Sequence, residues 1–195
     1  MTDRALSVWE SVRDWAARAP DRVCLTFHAG EAIAERVTYG ELARRASAHA
    51  RLFTSRGLAP GDAVILFARS EADFVAAFLG AQEASLLPVP CPPPEPLESA
   101  RRVRERMREI FARCSARALL DPGSAPIDGE LQAALGETGV AVLGPSDVAA
   151  APATTRAAAG AERFPLAYCQ FTSAAGAAPR ACFSRTTTSP PISAQ

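Results

Sequence analysis

The chain contains no lysine and no asparagine, so its 21 basic residues are all arginines. Both missing residue types have A-rich codons, and with the abundance of alanine, glycine and proline this indicates a GC-rich coding sequence. The 21 arginines balance 21 acidic residues, and a chain without net charge has no overall field that would recruit nucleic acid or an anionic membrane surface. The composition therefore predicts no nucleic-acid partner.

Long apolar runs and a leader segment are missing as well. The amino terminus carries an acid at Asp3 and no apolar core, which predicts no signal peptide, and no apolar run approaches the length of a membrane span. The five cysteines are odd in number, scattered, and form no C-x-x-C pair. We therefore expect a cytoplasmic protein with no membrane span, no metal site, and thiols that are reduced and mostly buried.

The two histidines carry no catalytic signal. His28 is expected on a turn and His49 on a helix, and neither has a Ser-Asp or Cys partner nearby in the sequence, so His49 is interpreted as a packed helix residue. Asp62 and Asp73 are interpreted in the same way, as a turn residue and a surface helix residue. The sequence before residue 166 therefore predicts no catalytic constellation.

Patterns typical of helices and strands alternate along the chain. The first predicted elements are a helix with Ser7 as N-cap and Glu10 as its capping-box partner, an antiparallel hairpin, and a helix capped by Thr38. The run Ala63–Phe67 does not alternate and is therefore interpreted as a parallel strand that is buried on both faces. The predicted elements of this half are Ser7–Ala19, Arg22–Phe27, Glu35–Thr38, Tyr39–Arg56 and Ala63–Phe67.

The alternation continues to residue 143. Ser70 is predicted to cap a helix, the following strand completes a parallel βαβ unit, and six prolines from Pro88 to Pro96 predict a stiff, extended loop that cannot donate a hydrogen-bond ladder. The charged helix after Ser99 has an apolar stripe opposite a solvated face, and Pro145–Glu162 predicts a mobile connector. The predicted elements are Glu71–Ala84, Leu86–Val89, Ala100–Ala116, Ala116–Leu120, Ile127–Leu135 and Val140–Leu143.

These patterns together predict an α/β domain over residues 1–165, with a mostly parallel sheet flanked by helices. In the stretch that follows, Leu166–Arg180, an apolar run breaks into small and hydroxyl residues. Such a pattern predicts a buried strand that opens into a loop, where backbone N–H groups can face a phosphate. Residues 166–180 are therefore the candidate phosphate-binding strand and loop.

The motif in this stretch resembles that of a known family. Gln170-Phe-Thr-Ser173, followed after five residues by Pro179-Arg180, is similar to the phosphate-binding motif of the adenylate-forming (AMP-binding) enzymes, aromatic-T-S-G-S-T-G-x-P-K/R-G. Other segments that match the family in order and spacing are Val37–Leu42, Asp73–Gly80 and Pro88–Pro93. The last of these resembles the V-P-x-x-P-P signature of fatty acyl-AMP ligases, and the whole resemblance covers residues 5–180.

The resemblance implies the N-terminal subdomain of an adenylate-forming enzyme, truncated, and most like a fatty acyl-AMP ligase. The implied parent reaction activates a fatty acid with ATP and magnesium to acyl-AMP, for transfer to an acyl carrier protein. Thr172 and Ser173 match two hydroxyl positions of the motif, and Arg180 matches the basic position that neutralises phosphate charge. No catalytic residue and no metal ligand is carried over.

The loop departs from the family's pattern at four positions. Ala174 and Ala177 stand where glycine is expected, Ala175 where serine is expected, and Gly176 where threonine is expected. Added Cβ atoms beside a phosphate and lost donors both weaken binding, so the loop is degenerate and this fragment is expected to be inactive alone. The alternatives are an acyl-CoA synthetase fragment, a non-catalytic α/β module that associates through exposed surface, and a separate small nucleotide-binding protein.

Residues 181–195 do not match the family, which continues with glycine, small aliphatic residues and T/S-H-x-N-L. Within the genetic code, GCG TGC TTC TCA CGC ACG ACA ACC TCC encodes Ala181–Ser189, and one G restored in front gives Gly-Val-Leu-Leu-Thr-His-Asp-Asn-Leu. We therefore expect a single-base deletion after Arg180 and an out-of-frame, unstructured tail over residues 181–195. A genuinely divergent tail is the alternative.

Overall fold

A four-stranded parallel sheet lies at the centre of the part of the chain that the structure describes. The computed structural model describes residues 7–68, 71–95, 98–123, 129–136, 139–153, 166–172 and 180–185. The elements in chain order are α1 (Val8–Arg18), β1 (Val23–Ala29), β2 (Ala32–Thr38), α2 (Tyr39–Ser55), β3 (Ala63–Phe67), α3 (Ala72–Glu83), β4 (Leu87–Cys91), α4 (Ala100–Cys114), β5 (Ala118–Leu120), α5 (Gly129–Gly136), β6 (Ala141–Leu143), α6 (Pro145–Ala149), β7 (Leu166–Thr172) and β8 (Arg180–Arg185).

The strands form three sheets within these described ranges. β1 and β2 pair as an antiparallel hairpin, and so do β7 and β8. The central sheet has the order β4-β3-β5-β6, and all its pairs are parallel. The predicted α/β fold with a mostly parallel sheet is therefore confirmed. No helix in the described ranges is both long and apolar enough to cross a membrane.

Alternating side chains of β3 build two apolar cores, one on each face of the central sheet. Ile65 and Phe67 belong to the core that contains Met107 of α4, whereas Val64 and Leu66 belong to the core formed with α2 and α3. All five residues of β3 are buried, as the unalternating run predicted. Helices cover both faces because the two right-handed crossovers run in opposite directions across the sheet, from β3 through α3 to β4 and from β4 through α4 back to β5.

Polar side chains cap the first helices, as the sequence predicted. Glu10 N–H donates to Ser7 Oγ (3.2 Å), and Ser7 N–H donates to Glu10 Oε2 (2.8 Å), which completes the capping box of α1. Thr38 caps α2 through its side-chain oxygen. The prediction for α3 is wrong, because its N-cap is Glu71 and not Ser70: residue 71 keeps an extended backbone (φ −138°, ψ 154°), so the helix starts one residue later.

α2 and α3 cross closely through small residues. A Cβ atom at Gly80 would lie 2.5 Å from the Ala46 carbonyl oxygen and 2.7 Å from His49 Cβ. His49 is only 3% exposed, and its Nδ1 lies 3.0 Å from the Arg45 carbonyl oxygen. The interpretation of His49 as a packed helix residue is thus confirmed, and glycine at position 80 is required by the close approach of the two helices.

β4 includes Pro88 and Pro90, which the sequence placed in an extended loop without a ladder. The N–H of Leu87 donates to the Asp62 carbonyl oxygen on the β3 side (2.9 Å). Because alternate residues of a parallel strand direct their polar groups to the same neighbour, the odd-numbered residues of β4 bond to β3 and the two prolines face the outer edge. The strand tolerates the prolines because β4 is an edge strand.

The predicted connector after β6 begins with a helix, α6, which the sequence did not indicate. Pro145 occupies its first turn, and Asp147 accepts a hydrogen bond from Gly144 N–H (2.8 Å). Asp147 also forms an ion pair with Arg56 of α2. These local and tertiary contacts order a segment that has almost no bulky apolar side chains. Residues 154–162 of the predicted connector lie outside the described residues.

Strand β8 also corrects the prediction of an unstructured tail, because residues 181–185 pair with β7. Backbone pairing requires N–H and C=O groups and no particular side chain, and the stretch from Arg180 has no proline before Pro190 to interrupt it. The correction concerns residues 181–185. Residues 186–195 lie outside the described residues, and the origin of the tail in a changed reading frame stays a prediction.

Candidate phosphate-binding hairpin

The β7–β8 hairpin brings the two ends of the candidate loop together. Its register places Thr172 opposite Arg180 and Gln170 opposite Cys182. Thr172 and Arg180 are therefore neighbours where the hairpin opens into residues 173–179, since directly opposed residues of antiparallel strands have Cα atoms about 4.5–5.5 Å apart. The fold thus juxtaposes two of the three predicted site positions. Ser173, the third, lies outside the described residues.

β7 lies beside β4, at the edge of the central sheet. Cys169 has an exposed fraction of 0% and belongs to the core on the α4 face, against which Phe171 also packs. Tyr168 contacts the other layer, where its ring centroid lies 6.0 Å from that of Phe78 on α3. Alternate side chains of β7 therefore contact the helices of both faces, and these contacts position the hairpin that carries the candidate loop.

Three thiols lie in or against the core beneath β7, namely Cys91, Cys114 and Cys169. Burial raises the pKa of Cys91, and it raises the pKa of Cys114 to about 11. A cysteine attacks electrophiles and binds metals as the thiolate, so Cys91 and Cys114 act as packing residues near neutral pH. The prediction of buried thiols is confirmed for Cys91 and Cys169, whereas Cys24 and Cys114 are half-buried.

A cavity of about 490 Å³ lies between the segment after β4 and the first turns of α4. Arg106 donates to Glu98 (3.0 Å) and to the Pro92 carbonyl oxygen (3.1 Å) at this cavity. The residues that line the cavity are Pro92, Pro93, Glu95, Glu98, Arg102 and Arg106. Two carboxylates therefore offset two guanidinium groups, and the lining has no net charge that would select an anion.

Asp121 is a buried carboxylate that the sequence analysis missed. It follows β5 and is 2% exposed. Its Oδ1 accepts from Gly123 N–H (3.0 Å), and its own N–H donates to the Leu143 carbonyl oxygen (3.0 Å). Asp121 lies at the carboxyl end of β5 beside that of β3. The connections from β3 to β4 and from β5 to β6 run in opposite directions from this point, which is where open α/β sheets bind ligands. The signal in the sequence was an Asp-Pro-Gly turn directly after an apolar run.

The remaining candidates make structural contacts. His28 lies on β1 and not on the predicted turn, which is formed by Gly30 and Glu31, because β1 extends to Ala29. Asp62 accepts from Ala59 N–H (2.8 Å) in the turn before β3. Asp73, on α3, accepts from the Arg45 guanidinium (3.3 Å). Within the described ranges, no group of three or more histidine, cysteine or acidic side chains is arranged to hold a metal ion.

The described residues form an α/β domain whose candidate site is the end of the β7–β8 hairpin beside the edge of the central sheet. Strand β7 carries a threonine at the start of the candidate loop, and an arginine follows at its end. Residues 12–184 match the AMP-binding enzyme family, and the chain belongs to that family.

Three further proteins resemble this chain, two of them in fold and one in sequence. A fatty acyl-adenylate ligase from L. pneumophila, solved in complex with acyl adenylate and pyrophosphate, has a TM-score of 0.68 and 21% identity over 92% of this chain and 30% of its own. The crystal structure of VinN has a TM-score of 0.73 and 20% identity over 95% of this chain and 45% of its own. A curated protein of Caulobacter vibrioides (strain NA1000 / CB15N) that carries an acyl-CoA synthetase name is 33% identical over 109 residues, which are 56% of this chain and 19% of that protein. The chain thus spans less than half the length of each relative.

Proposed function

We propose that this chain is the N-terminal subdomain of a cytoplasmic ligase that activates a fatty acid with ATP and passes the resulting acyl-AMP to an acyl carrier protein. The match to the AMP-binding enzyme family over residues 12–184 carries the proposal. The likeness of Pro88–Pro93 to the fatty acyl-AMP ligase signature supports the fatty-acid branch. The nearest alternative is an acyl-CoA synthetase, because the C. vibrioides relative carries that name.

ATP with magnesium would lie at the open end of the β7–β8 hairpin. In this proposal the hydroxyls of Thr172 and Ser173 donate hydrogen bonds to phosphate oxygens, and Arg180 neutralises their charge. The opposed positions of Thr172 and Arg180 support these roles, because the two ends of the loop then lie next to each other. Bound ATP would supply the α-phosphate that the fatty-acid carboxylate attacks.

We further propose that the loop of this chain binds ATP poorly. Ala174 and Ala177 add Cβ atoms where the family has glycine, and Ala175 and Gly176 remove two hydroxyl donors. Each lost donor to a charged ligand costs about 1–3 kcal/mol, and the added Cβ atoms keep the backbone away from the phosphates. The 195-residue chain produced alone is therefore expected to have no ligase activity.

Carboxylate-dependent exchange between ATP and pyrophosphate tests the proposed inactivity of the unaltered chain. The affinity for Mg·ATP tests the proposed defect in the loop. The unaltered chain should show no exchange and no thermal stabilisation by millimolar Mg·ATP. A variant with the family's loop, Ala174→Gly, Ala175→Ser, Gly176→Thr and Ala177→Gly, should bind Mg·ATP at least 10-fold more tightly. Exchange by the unaltered chain would overturn the inactivity, and no gain of binding in the variant would overturn the phosphate site.

Two controls isolate the role of the loop. Arg180→Gln in the restored variant should remove the gained affinity, because the guanidinium no longer offsets phosphate charge. Ala157→Gly and Ala158→Gly introduce two glycines into the predicted connector before β7, as Ala174→Gly and Ala177→Gly do in the loop, and they should leave Mg·ATP binding unchanged. A gain from the connector variant would show that added flexibility, and not the motif, causes the effect.

The coding DNA tests the proposed origin of the tail. A restored frame after Arg180 should read Gly-Val-Leu-Leu-Thr-His-Asp-Asn-Leu and continue with further motifs of adenylate-forming enzymes. A restored frame without such motifs would leave a divergent tail as the explanation.

A non-catalytic interaction module is the second candidate function. Four large apolar side chains are exposed on α1 and the β1–β2 hairpin, namely Val8, Trp15, Val23 and Ile33. Exposed apolar side chains are typical of association surfaces when they are contiguous. Light scattering of the purified chain between low and high micromolar concentration tests this candidate, since a concentration-independent monomer would remove self-association from it.

A further inference from the structure

The outer edge of β4 has no hydrogen-bond donor at its two outward positions, Pro88 and Pro90. The N–H of Leu87 donates toward β3, and the carbonyl oxygen of Cys91 accepts from Ala68 N–H (2.8 Å) on the same side. The outward-facing positions between them are Pro88 and Pro90. Proline has no N–H, so this edge offers only carbonyl acceptors, and a ladder with donors from both strands cannot form.

β7 lies along β4 despite this missing ladder. Its attachment consists of side-chain contacts, with Cys169 and Phe171 at the α4-face core and Tyr168 against Phe78. Within the hairpin, by contrast, β7 and β8 form their own antiparallel ladder and are a sheet separate from the central one. The hairpin is therefore bonded more completely to itself than to the sheet beside it.

We infer that the β7–β8 hairpin opens from the central sheet as one unit, keeping its own hydrogen bonds while the parallel sheet stays closed. Proteins open locally where the fewest backbone bonds and the least apolar burial are lost. Pro88 and Pro90 remove the N–H donors between β4 and β7, so few backbone bonds are lost when the two strands separate. An opening of this kind moves the backbone at Thr172 and Arg180, the two ends of the candidate loop, relative to the sheet. The backbone pairing that supports it holds whether or not the loop binds ATP.

Cys169 reports on this opening, because its side chain is buried beneath the hairpin. Native-state alkylation of the 195-residue chain, followed by peptide mass spectrometry, measures the labelling of each cysteine separately at increasing urea concentrations. We expect Cys169 to react at least 10-fold faster than global unfolding allows, with a weaker urea dependence than global unfolding. Labelling of Cys169 with the rate and the urea dependence of global unfolding would overturn the inference.

Proline replacement tests the cause. Pro90→Ala restores an N–H to the outer edge of β4, so the hairpin can gain a ladder bond, and Cys169 labelling at fixed global stability should slow at least 3-fold. Pro90→Val is a second variant with the same restored donor. Pro93→Ala, after the end of the strand, is the matched control and should leave the ratio of Cys169 labelling to global unfolding unchanged. An unchanged ratio of Cys169 labelling to global unfolding in both Pro90 variants would overturn the inference that the missing N–H groups of β4 determine where the hairpin separates from the sheet.

Discussion

β3 and β7 each contain a fully buried side chain, yet their backbones are bonded differently. Ile65 on β3 and Cys169 on β7 are both 0% exposed. β3 has a parallel ladder on each side. β7 forms a ladder with β8 on one side and, on the other side, lies against the outer edge of β4, where Pro88 and Pro90 have no N–H. Side-chain burial and backbone pairing are therefore separable at the edge of a sheet, and a segment can pack into a core without being fastened by hydrogen bonds from both sides.

Truncation of one core side chain in each region gives the largest expected effect and tests the comparison directly. Ile65→Ala should lower the free energy of unfolding by about 2–5 kcal/mol, because it leaves a cavity in a strand that is fixed on both sides. Phe171→Ala should cost less than about 2 kcal/mol, because Phe171 is only partly buried and the hairpin can close over part of the space. Urea unfolding followed by circular dichroism measures both values.

The two variants should differ in local opening as well. Phe171→Ala should speed the alkylation of Cys169 more than its global destabilisation explains, whereas Ile65→Ala should speed it only in proportion. Equal global costs with proportional labelling in both variants would show that sheet and hairpin unfold as one unit.

Overpacking of the α2–α3 crossing has the next largest expected effect. Gly80→Ala places a Cβ atom 2.5 Å from the Ala46 carbonyl oxygen, which the two helices can relieve only by moving apart. We expect a loss of about 1–3 kcal/mol in the free energy of unfolding, measured by urea titration. Gly136→Ala is the matched control, since nothing lies within 4 Å of its added Cβ. A neutral Gly80→Ala would mean that the crossing is loose.

The pH dependence of stability gives the smallest expected effect. Burial lowers the pKa of His49 below its ordinary value of 6.5, so the unfolded chain binds the proton first as the pH falls. Stability from the neutral imidazole is therefore complete above about pH 6.5 and is lost as the pH falls through the lower, folded pKa, by at most about 1.4 kcal/mol per pH unit. His49→Gln should flatten this slope between pH 7 and pH 5 in urea unfolding.

A difference measurement separates His49 from other groups. Burial raises the pKa of Glu83, so its contribution to the pH dependence of stability has the opposite sign to that of His49. The contribution is the same in the unaltered chain and in His49→Gln, and it cancels when the two slopes are subtracted. His28→Gln, at an exposed site on β1, is the control and should leave the slope unchanged. Identical slopes for the unaltered chain and His49→Gln would contradict the assignment.

Much of the central fold was predictable because its signals are local. The capping box of Ser7 and Glu10, the Thr38 cap and the buried run Ala63–Phe67 are patterns within a few residues, and the structure has all of them. The candidate loop was also predicted from local pattern, since small and hydroxyl residues follow an apolar run. Its strand is present, and its register places Thr172 opposite Arg180.

Other features could not be predicted because a distant neighbour decides them. Whether a proline interrupts a strand depends on which edge its nitrogen faces, and only the pairing of β4 with β3 places Pro88 and Pro90 outward. The helix α6 depends in part on Arg56, which is far away in sequence. The burial of Asp121 depends on the meeting of β5 with β3 and β6.

The sequence by itself determined the α/β alternation, the apolar stripes, the helix caps and the membership in a family. Each of these features depends on residues that are close together in the sequence or that form a motif. The tertiary structure alone decided the strand order β4-β3-β5-β6, the attachment of the β7–β8 hairpin to a proline edge, and the pairing of residues 181–185 as a strand. The physical reason is that a hydrogen-bond ladder depends on the partner strand, and local sequence does not specify that partner.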